Sequence, residues 1–545
     1  MSESQQIPDE FAATIWDVVV VGTGMGGATA GYALARAGHR VLFLEKGRFL
    51  HREADRGDGR LDPYASNAPD ARLRRGYWPT PLEGETSFGS LEFFAPLGCG
   101  SGGSTALYGA ALERLTREDF TPKRNFPDAE DANLPESWPI RFEELEPYYE
   151  RAEQLYRVRG DEDPLRPGYG AGLRAPPGLS ARDQELAGFL RGAGLHPYRV
   201  HVGCGFVDGC RECGGALCPR ECKSDAGTIC LLPALEKFGA KILPECEVTR
   251  LVASESAVQE VLCSYRGAEL RIRGRVVVLA AGAFMTPVLL LNSRDATRPD
   301  GLANRSGMVG RNLMLHTGDF IAVRSAGRLS PDGPKKSLAF NDFYFCEGKK
   351  LGTIQSVGIE VDWGVVLGFL RSMFDRERRW WMRLTRPLLP FVALVAAWYF
   401  KNAAVICPIV EDLPYLENRV FPDPNAKSGM RFEYTYPEEL FGRNRLLRER
   451  LAARLGRSRL AVLSGENNLN FGHACGTCRM GTDPLLSVLD RNNRAHELEN
   501  LYVVDASFFP SSGGANPSLT IAANALRAAD AIHLELERGA RKEAT

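Results

Sequence analysis

Two short stretches near the end of the chain contain residue types that suit proton transfer. The first, FGHACGTCRMG at 471–481, places His473 in a turn rich in glycine and cysteine. The second, GGANPSLTIAANALRAADAI at 513–532, places Asn516 at the start of a predicted buried helix. Histidine exchanges protons near neutral pH, and asparagine offers a hydrogen-bond donor and an acceptor without charge. The alternatives are a core histidine bonded to backbone and an asparagine that serves only the turn before Pro517.

The first part of the chain predicts a dinucleotide site. Residues 17–45 have the pattern of a strand, a glycine turn, a helix and a second strand. In GTGMGG, Gly22 allows the tight turn, Gly24 allows a pyrophosphate to approach the backbone, and Gly27 allows the helix to pack closely on the strand. Glu45 ends the second strand, where a carboxylate can accept a hydrogen bond from a ribose hydroxyl. An unphosphorylated ribose is thereby favoured, which indicates FAD or NAD over NADP.

Composition places the chain among ordinary globular proteins. It has 545 residues, 44% of them hydrophobic and 25% charged, with a formal net charge of -1. This balance gives no indication of a nucleic-acid partner. The N-terminal sequence lacks the features of a secretory signal, so we expect a cytoplasmic location. No uninterrupted apolar run reaches the length of a transmembrane helix.

The pattern of elements predicts an α/β fold with two domains. A Rossmann-like, dinucleotide-binding domain is expected from both chain ends, residues 12–320 with 466–545. A second domain, based on an antiparallel sheet, is expected at 321–465, and part of 120–200 is a candidate addition to it. Within the first domain we predict an amphipathic helix over 138–158 and loops over 50–90.

Six cysteines cluster between residues 204 and 230. They are Cys204, Cys210, Cys213, Cys218, Cys222 and Cys230. Three interpretations are open: a metal site holding zinc or an iron–sulfur cluster, disulfides, or packed free thiols. The spacing matches none of the common zinc or ferredoxin patterns, so no metal ligand is assigned.

Several motifs, in order along the chain, resemble the glucose-methanol-choline (GMC) oxidoreductase family. They are GTGMGG, PLGCGSGGSTALYG, WPIRFEELEPYYERAE, AAGAFMTPVLLLNSR, VGRNLMLH, EDLPYLENRV, HACGTCRMG and NLYVVDASFFPSSGGANPSLTIAANALRAADAI. The pattern is nearest to the cholesterol-oxidase-like and long-chain-alcohol-oxidizing members. The resemblance implies FAD as the cofactor and oxidation of an alcohol to an aldehyde or ketone.

The resemblance also implies roles for single residues. His473 would be the catalytic base, and Asn516 would orient the substrate hydroxyl beside the flavin. The other residues that it places at FAD are Gly98, Gly102, Gly103, Ser104, Val248 and Asp505. Val248 would contact the adenine through its backbone, and Asp505 would contact the polyol chain. Tyr108 stands where some relatives have the histidine that attaches the flavin, so we expect FAD to be non-covalent.

A lipophilic segment at 376–400 has two interpretations. It runs from arginines and tryptophans to PLLPFVALVAAWYF, which suits a lid or a peripheral membrane contact. In that case the substrate would be lipophilic, such as a fatty alcohol, a sterol or a terpenoid. The alternative is a core helix of the inserted domain.

Alcohol oxidation leaves the electron acceptor open, and oxygen, a quinone or a carrier protein would serve. Two other functions remain as alternatives, since a fold does not fix a reaction. One is a flavin-bound enzyme of this fold that performs a non-oxidative or light-driven reaction. The other is an electron-transfer subunit that uses a cysteine-bound iron–sulfur cluster.

Overall fold

The computed structural model describes residues 9–52, 57–62, 65–324, 333–358, 363–376, 385–400, 403–464 and 467–543. Its α-helices are α1 (Asp9–Ala13), α2 (Met25–Arg36), α3 (Pro69–Arg74), α4 (Pro122–Asn125), α5 (Phe142–Leu155), α6 (Ala181–Gly192), α7 (Leu232–Lys237), α8 (Gly282–Asn292), α9 (Trp363–Arg376), α10 (Leu389–Phe400), α11 (Glu438–Leu455) and α12 (Ser518–Glu543). Its strands are β1 (Ile15–Val21), β2 (Val41–Leu44), β3 (Leu82–Thr86), β4 (Gly89–Phe93), β5 (Tyr198–Arg199), β6 (Lys241–Leu243), β7 (Cys246–Ala253), β8 (Val258–Tyr265), β9 (Ala268–Leu279), β10 (Ile321–Arg324), β11 (Leu338–Phe340), β12 (Phe345–Cys346), β13 (Lys349–Lys350), β14 (Gly352–Ser356), β15 (Ala403–Val410), β16 (Arg419–Pro422), β17 (Met430–Tyr434), β18 (Leu460–Val462) and β19 (Leu501–Val503).

The largest sheet has seven strands and contains both ends of the chain. Its order is β6-β2-β1-β9-β8-β7, with β19 also paired to β9. The pairs β1–β2, β1–β9, β2–β6 and β9–β19 are parallel. The valines of β1 are almost fully buried, as expected of a parallel strand covered on both faces. The predicted α/β fold, with a Rossmann-like domain built from both chain ends, is therefore confirmed.

Helices from distant parts of the chain cover this sheet. The predicted amphipathic helix over 138–158 is present as α5, which packs against α12. The Tyr149 hydroxyl at the centre of α5 lies 2.8 Å from Thr520 Oγ1 in the first turn of α12. Helix α12 also packs on α2, the helix that follows the first glycine turn.

The inserted sheet has six antiparallel strands in the order β18-β10-β15-β14-β11-β5. Strands β10 to β18 come from residues 321–462, and β5 comes from 198–199. One face of this sheet packs against α6 and α11 through an apolar cluster that includes Leu186, Ile354, Ile406 and Leu447. Thr353 N of β14 donates to Gly514 O at 2.8 Å, which connects the inserted sheet to the C-terminal segment.

A four-stranded sheet, in the order β16-β17-β3-β4, joins the two predicted domains. The expectation of loops over 50–90 is wrong for β3 and β4. Both strands are short and contain glycine and charged residues, so local propensity gives little strand signal. Strand β3 is stabilised by parallel pairing with β17, which lies more than three hundred residues later.

Helices α9 and α10 form a pair outside these sheets. Leu367 of α9 packs against Leu389 and Ala393 of α10. The interpretation of this segment as a core helix is wrong for α10, because Phe391 is 67% and Trp398 is 74% exposed. Residues 377–384, which belong to the same lipophilic segment, lie outside the described residues. Within the described ranges, no helix is both long and apolar enough to cross a membrane.

Candidate active site

The first glycine turn connects β1 to α2 and leaves one side open. Gly22 has a φ of 94°, and a Cβ at this position would lie 2.4 Å from Ala280 O. A Cβ at Gly27 would lie 2.2 Å from Gly22 O, so any side chain would push α2 away from the turn. A Cβ at Gly24 would meet no atom within 4 Å. The turn is therefore closed by packing at Gly22 and Gly27 and accessible at Gly24, the N-cap of α2.

Glu45 joins this turn to the second glycine-rich loop. Its Oε2 accepts hydrogen bonds from Thr23 N and Thr23 Oγ1, at 3.1 and 2.6 Å. Its Oε1 accepts from Gly47 N and Gly100 N, at 2.9 and 3.1 Å. These four protein donors occupy the four lone-pair positions of a carboxylate. Glu45 lies at the predicted position, but its main contacts are to protein backbone.

The second glycine loop lies directly over the first. A Cβ at Gly103 would lie 2.8 Å from Gly24 Cα, so this close approach requires glycine. Gly102 has a φ of 88°, and a Cβ at this position would lie 3.0 Å from Asp225 Oδ1. Gly98 N donates to Ser104 Oγ at 3.0 Å, which closes the loop. The two glycine segments thus form opposite edges of one opening.

A cavity of about 370 Å³ extends from this opening. The predicted site residues that line it are Gly22, Gly24, Glu45, Gly98, Gly103, Ser104, Val248 and Asp505. Gly27 and Gly102 do not line the cavity. Gly27 allows α2 to pack closely on the glycine turn, and Gly102 allows the left-handed turn of the second glycine loop. His473 and Asn516 do not line it either, but their neighbours Gly472, Ala474 and Pro517 do. One elongated cavity therefore connects the glycine loops with the His473 region.

His473 and Asn516 are brought together from separate segments. Asn516 Nδ2 lies 3.4 Å from His473 Nε2, at the long end of hydrogen-bond distance. Nδ1 of His473 and Oδ1 of Asn516 are buried and have no hydrogen-bond partner within the described protein. Buried polar atoms without a protein partner are uncommon, and one explanation is a bound group that supplies the missing bond.

The surroundings of His473 favour the neutral imidazole. Burial lowers the pKa of His473 well below 6.5, and repulsion from His316, when that ring is protonated, and from the Lys336 ammonium lowers it further. Burial also lowers the pKa of Lys336 to about 8. The uncharged ring has a free lone pair and can act as a proton acceptor at neutral pH.

The loop before Asn516 is fixed by buried side chains from residues 316–411. Gly513 N donates to Glu411 Oε1 at 3.1 Å, and Gly514 N donates to the Tyr344 hydroxyl at 3.2 Å. His316 Nε2 donates to Gly513 O at 2.8 Å. Residues 513–514 are therefore held by three side chains, and this rigidity sets the position of Asn516.

A buried ionic cluster stands behind this loop. Lys350 Nζ contacts the carboxylates of Asp119 and Glu411, and all three side chains are fully buried. The Tyr344 hydroxyl donates to Asp119 at 2.7 Å. Sequence reasoning missed these residues because charged residues are usually exposed and these come from three separate segments. The sequence feature that could have indicated this cluster is the motif EDLPYLENRV, which contains Glu411.

Asp505 and Val248 lie at the edges of the cavity. Asp505 accepts hydrogen bonds from Gly282 N and Ser507 N, both at 2.9 Å, and so joins two helix starts. Burial raises the pKa of Asp505, although these donors oppose the shift. Val248 lies on β7 beside a break in the strand register, where the pairing shifts between Val248 and Arg250.

The cysteine loop contacts the outer side of the second glycine loop. All thirteen cysteines are free thiols, so the structure contains no disulfide. The Sγ atoms of Cys204, Cys210 and Cys222 lie within 4.8 Å of one another, which leaves a metal site open as an interpretation. Lys223 Nζ donates to Ala106 O at 2.9 Å, and the Tyr108 hydroxyl donates to Ser224 O at 2.6 Å. Tyr108 thus connects the two loops.

Comparison with protein families and solved structures agrees with this geometry. Residues 93–318 and 444–525 match the two models described as GMC oxidoreductase, and residues 17–75 match one described as FAD binding domain. The chain is 30% identical to 6'''-hydroxyparomomycin C oxidase of Streptomyces lividus, over 97% of this chain and 94% of the relative. It is also 30% identical to paromamine 6'-oxidase of Streptomyces fradiae, over 95% of this chain and 91% of the relative.

Among solved structures, the crystal structure of pyridoxine 4-oxidase from Mesorbium loti has the same fold. The TM-score is 0.63 at 18% identity, and the match covers 95% of this chain and 99% of that chain. The family predicted from the sequence motifs is thereby confirmed. The chain belongs to the GMC oxidoreductase family and is an FAD-dependent oxidoreductase.

Proposed function

We propose that the protein oxidises the CH–OH group of an alcohol to an aldehyde or ketone. His473 accepts the hydroxyl proton at Nε2, and the Asn516 amide holds the hydroxyl oxygen. The observation that supports this proposal most directly is that Asn516 Nδ2 lies 3.4 Å from His473 Nε2, beside the cavity. FAD, when bound, supplies the acceptor for the two electrons that leave the substrate carbon.

The state of His473 supports its role as the base. A proton acceptor must be unprotonated before the reaction, and burial keeps this ring neutral at physiological pH. The amide of Asn516 has a donor and an acceptor and adds no charge that would compete with the base. Because the loop of Asn516 is anchored by Glu411, Tyr344 and His316, its amide is held in place before the substrate arrives.

The cavity supports non-covalent binding of FAD. The space beside Gly24 and the N-terminus of α2 suit a pyrophosphate. In our proposal Ser104 and Asp505 contact the middle of the cofactor, and the Val248 backbone contacts the adenine. Glu45 acts chiefly by holding the two glycine segments together, since four protein donors already occupy its carboxylate. Tyr108 is engaged with Ser224 and serves no covalent attachment.

We further propose that the substrate is a lipophilic alcohol. Apolar side chains form one wall of the cavity, including Trp78, Leu82, Phe284, Met430 and Phe471. Contact between this wall and the hydrocarbon part of a substrate removes apolar surface from water, which favours binding. Relatives named for paromamine and 6'''-hydroxyparomomycin C act on other substrates, so family membership alone does not select a substrate.

Anaerobic titration of the flavin-loaded enzyme tests this function. Loss of the oxidised flavin absorbance on addition of a long-chain primary alcohol or a sterol, and not with paromamine, is the expected result. Bleaching by paromamine alone would overturn the lipophilic assignment and leave alcohol oxidation standing. An absorbance unchanged by all three compounds would overturn both, and reoxidation of bleached enzyme by oxygen or a quinone would identify the acceptor.

A further inference from the structure

Helix α10 presents an apolar face that no described part of the chain covers. This face, the α10 surface, consists of Phe391, Val392, Leu394, Val395, Trp398 and Tyr399 on the helix, together with Leu388 directly before it. Their exposed fractions range from 46% to 74%. Residues 387–400 contain no charged side chain. So many large apolar side chains on one short helix are typical of a binding surface and not of a solvent-exposed one.

The inner side of the same helix is packed and fixed. Leu389 and Ala393 are buried against Leu367 of α9. Trp363 Nε1 donates to Pro390 O at 3.0 Å, which ties the start of α9 to α10. The packing holds α10 in one orientation, with the α10 surface directed away from the protein.

Helix length and area limit what can cover the α10 surface. A helix of 12 residues is about 18 Å long, whereas the hydrocarbon core of a bilayer is about 30 Å thick. The helix can therefore enter one leaflet but cannot cross. A second copy of the chain is disfavoured, because one face of a short helix provides far less than the roughly 800 Å² per partner of a stable interface.

Positive charges border the α10 surface. Arg324 is exposed and donates to the Tyr399 hydroxyl at 2.7 Å, with its guanidinium over the Tyr399 ring. Arg386 is exposed at the other end, one turn before Phe391. Cationic residues around an apolar face complement the phosphates of anionic lipids.

We propose that the α10 surface is a monotopic contact with an anionic phospholipid bilayer. Phe391, Leu394 and Val395 enter the boundary of the acyl chains, and Trp398 and Tyr399 lie at the level of the headgroups. Arg324 and Arg386 pair with lipid phosphates at the two ends of the helix. The contact is peripheral and depends on both apolar insertion and lipid charge.

The location of the helix pair α9 and α10 has a consequence for how a substrate enters the cavity. Helix α9 packs next to β4. Phe93 of β4 contacts Phe471, with ring centroids 4.6 Å apart, and Phe471 lines the cavity. A lipophilic alcohol leaving the bilayer at α10 would thus start close to the cavity wall. This consequence rests on the proposed function, whereas the membrane contact itself does not.

Vesicle flotation with the flavin-loaded enzyme tests the contact. The vesicles are phosphatidylcholine alone and phosphatidylcholine with about a third phosphatidylglycerol. We expect the wild type to float with the anionic vesicles and weakly or not at all with the neutral ones. The double variant Phe391→Asp/Trp398→Asp should reduce the bound fraction at least ~10-fold, because burying each aromatic side chain contributes about that factor or more. Leu485→Asp is the matched control, since Leu485 is 65% exposed on another part of the surface.

Three outcomes would overturn the proposal. They are no flotation of the wild type, equal flotation of the double variant, and a dimer in light scattering that the double variant abolishes. The last would show that a second copy covers the α10 surface. Flavin absorbance and bleaching by a detergent-solubilised alcohol are measured in parallel. Normal flotation without bleaching would contradict the proposed function alone. Normal bleaching without flotation would contradict the membrane contact alone.

Discussion

The imidazole rings of His316 and His473 meet edge to face, with centroids 5.3 Å apart and an interplanar angle of 86°. His316 also bonds to Gly513 O, three residues before Asn516. Burial lowers the pKa of His316 to about 4, so this ring is uncharged at neutral pH. One neutral histidine therefore supports both members of the proposed catalytic pair. In our proposal His473 is the base, and His316 is the residue that positions it.

Replacing His473 should abolish most turnover without releasing the cofactor. For His473→Ala we expect kcat to fall by about 10²–10⁴-fold, the usual contribution of a positioned base. The flavin absorbance should be retained, because His473 does not line the cavity. Stopped-flow reduction by the alcohol substrate measures the effect. His196→Ala is the control, since His196 is exposed and pairs with Asp342. Near-normal turnover, or loss of flavin, would contradict the assignment.

The pH dependence should show a base with a lowered pKa. Because the pKa of His473 lies well below 6.5, kcat/KM should stay level through neutral pH and fall only at more acidic pH. Lys336→Met removes a nearby positive charge, so the pKa of His473 should rise and the acidic decline should move to higher pH. Lys349→Met, on an exposed position of β13, should leave the profile unchanged. A shift to lower pH in Lys336→Met would contradict the electrostatic interpretation.

Glu45→Gln should loosen the junction between the two glycine segments and thereby weaken FAD binding. The substitution removes the negative charge and replaces one acceptor by a donor that faces Thr23 or Gly100. Losing hydrogen bonds to a charged group costs about 1.5–3 kcal/mol. Because these bonds hold the two glycine segments in place before FAD arrives, FAD binding must restore that geometry in the variant, and the Kd should rise by at most roughly 10- to 150-fold. Fluorescence titration of the apoprotein with FAD measures this change. Glu269→Gln, an exposed residue of β9, is the matched control, and equal affinity in both variants would argue against the role of Glu45.

The ionic cluster around Lys350 should contribute strongly to stability. Lys350→Met leaves the carboxylates of Asp119 and Glu411 buried without a cation, which typically costs about 3–5 kcal/mol. Urea denaturation of the flavin-loaded enzyme measures the loss of unfolding free energy. Lys427 pairs with Glu92 on the surface, where solvent screens the interaction, so Lys427→Met should cost far less than Lys350→Met. A similar loss of unfolding free energy in the two variants would show that the buried cluster stabilises the protein no more than a surface ion pair does.

The sequence predicted most accurately those features that depend on local pattern. The β1–α2–β2 unit, the helix α5 and the pairing of His473 with Asn516 follow from periodicity, glycine spacing and family motifs. Strands β3 and β4 could not be predicted, because their stability comes from pairing with β17. The ionic cluster of Lys350 could not be predicted for a similar reason, because the burial of a charged side chain depends on which residues other segments place around it. Exposure of α10 likewise depends on tertiary packing and not on its apolar composition.

The pairing of β9 with β19 also determines when the enzyme can become active during synthesis. Residues Val277 to Leu279 leave the ribosome more than two hundred residues before Leu501 to Val503, their parallel partners. Until then one edge of the growing sheet is unpaired, and Asp505 and Asn516 do not yet exist. The nascent chain must therefore persist in a partly folded state that chaperones can recognise and that cannot turn over substrate. A chain that ended before Leu501 would lack Asp505 and Pro517, which line the cavity, whatever the stability of its remaining domains.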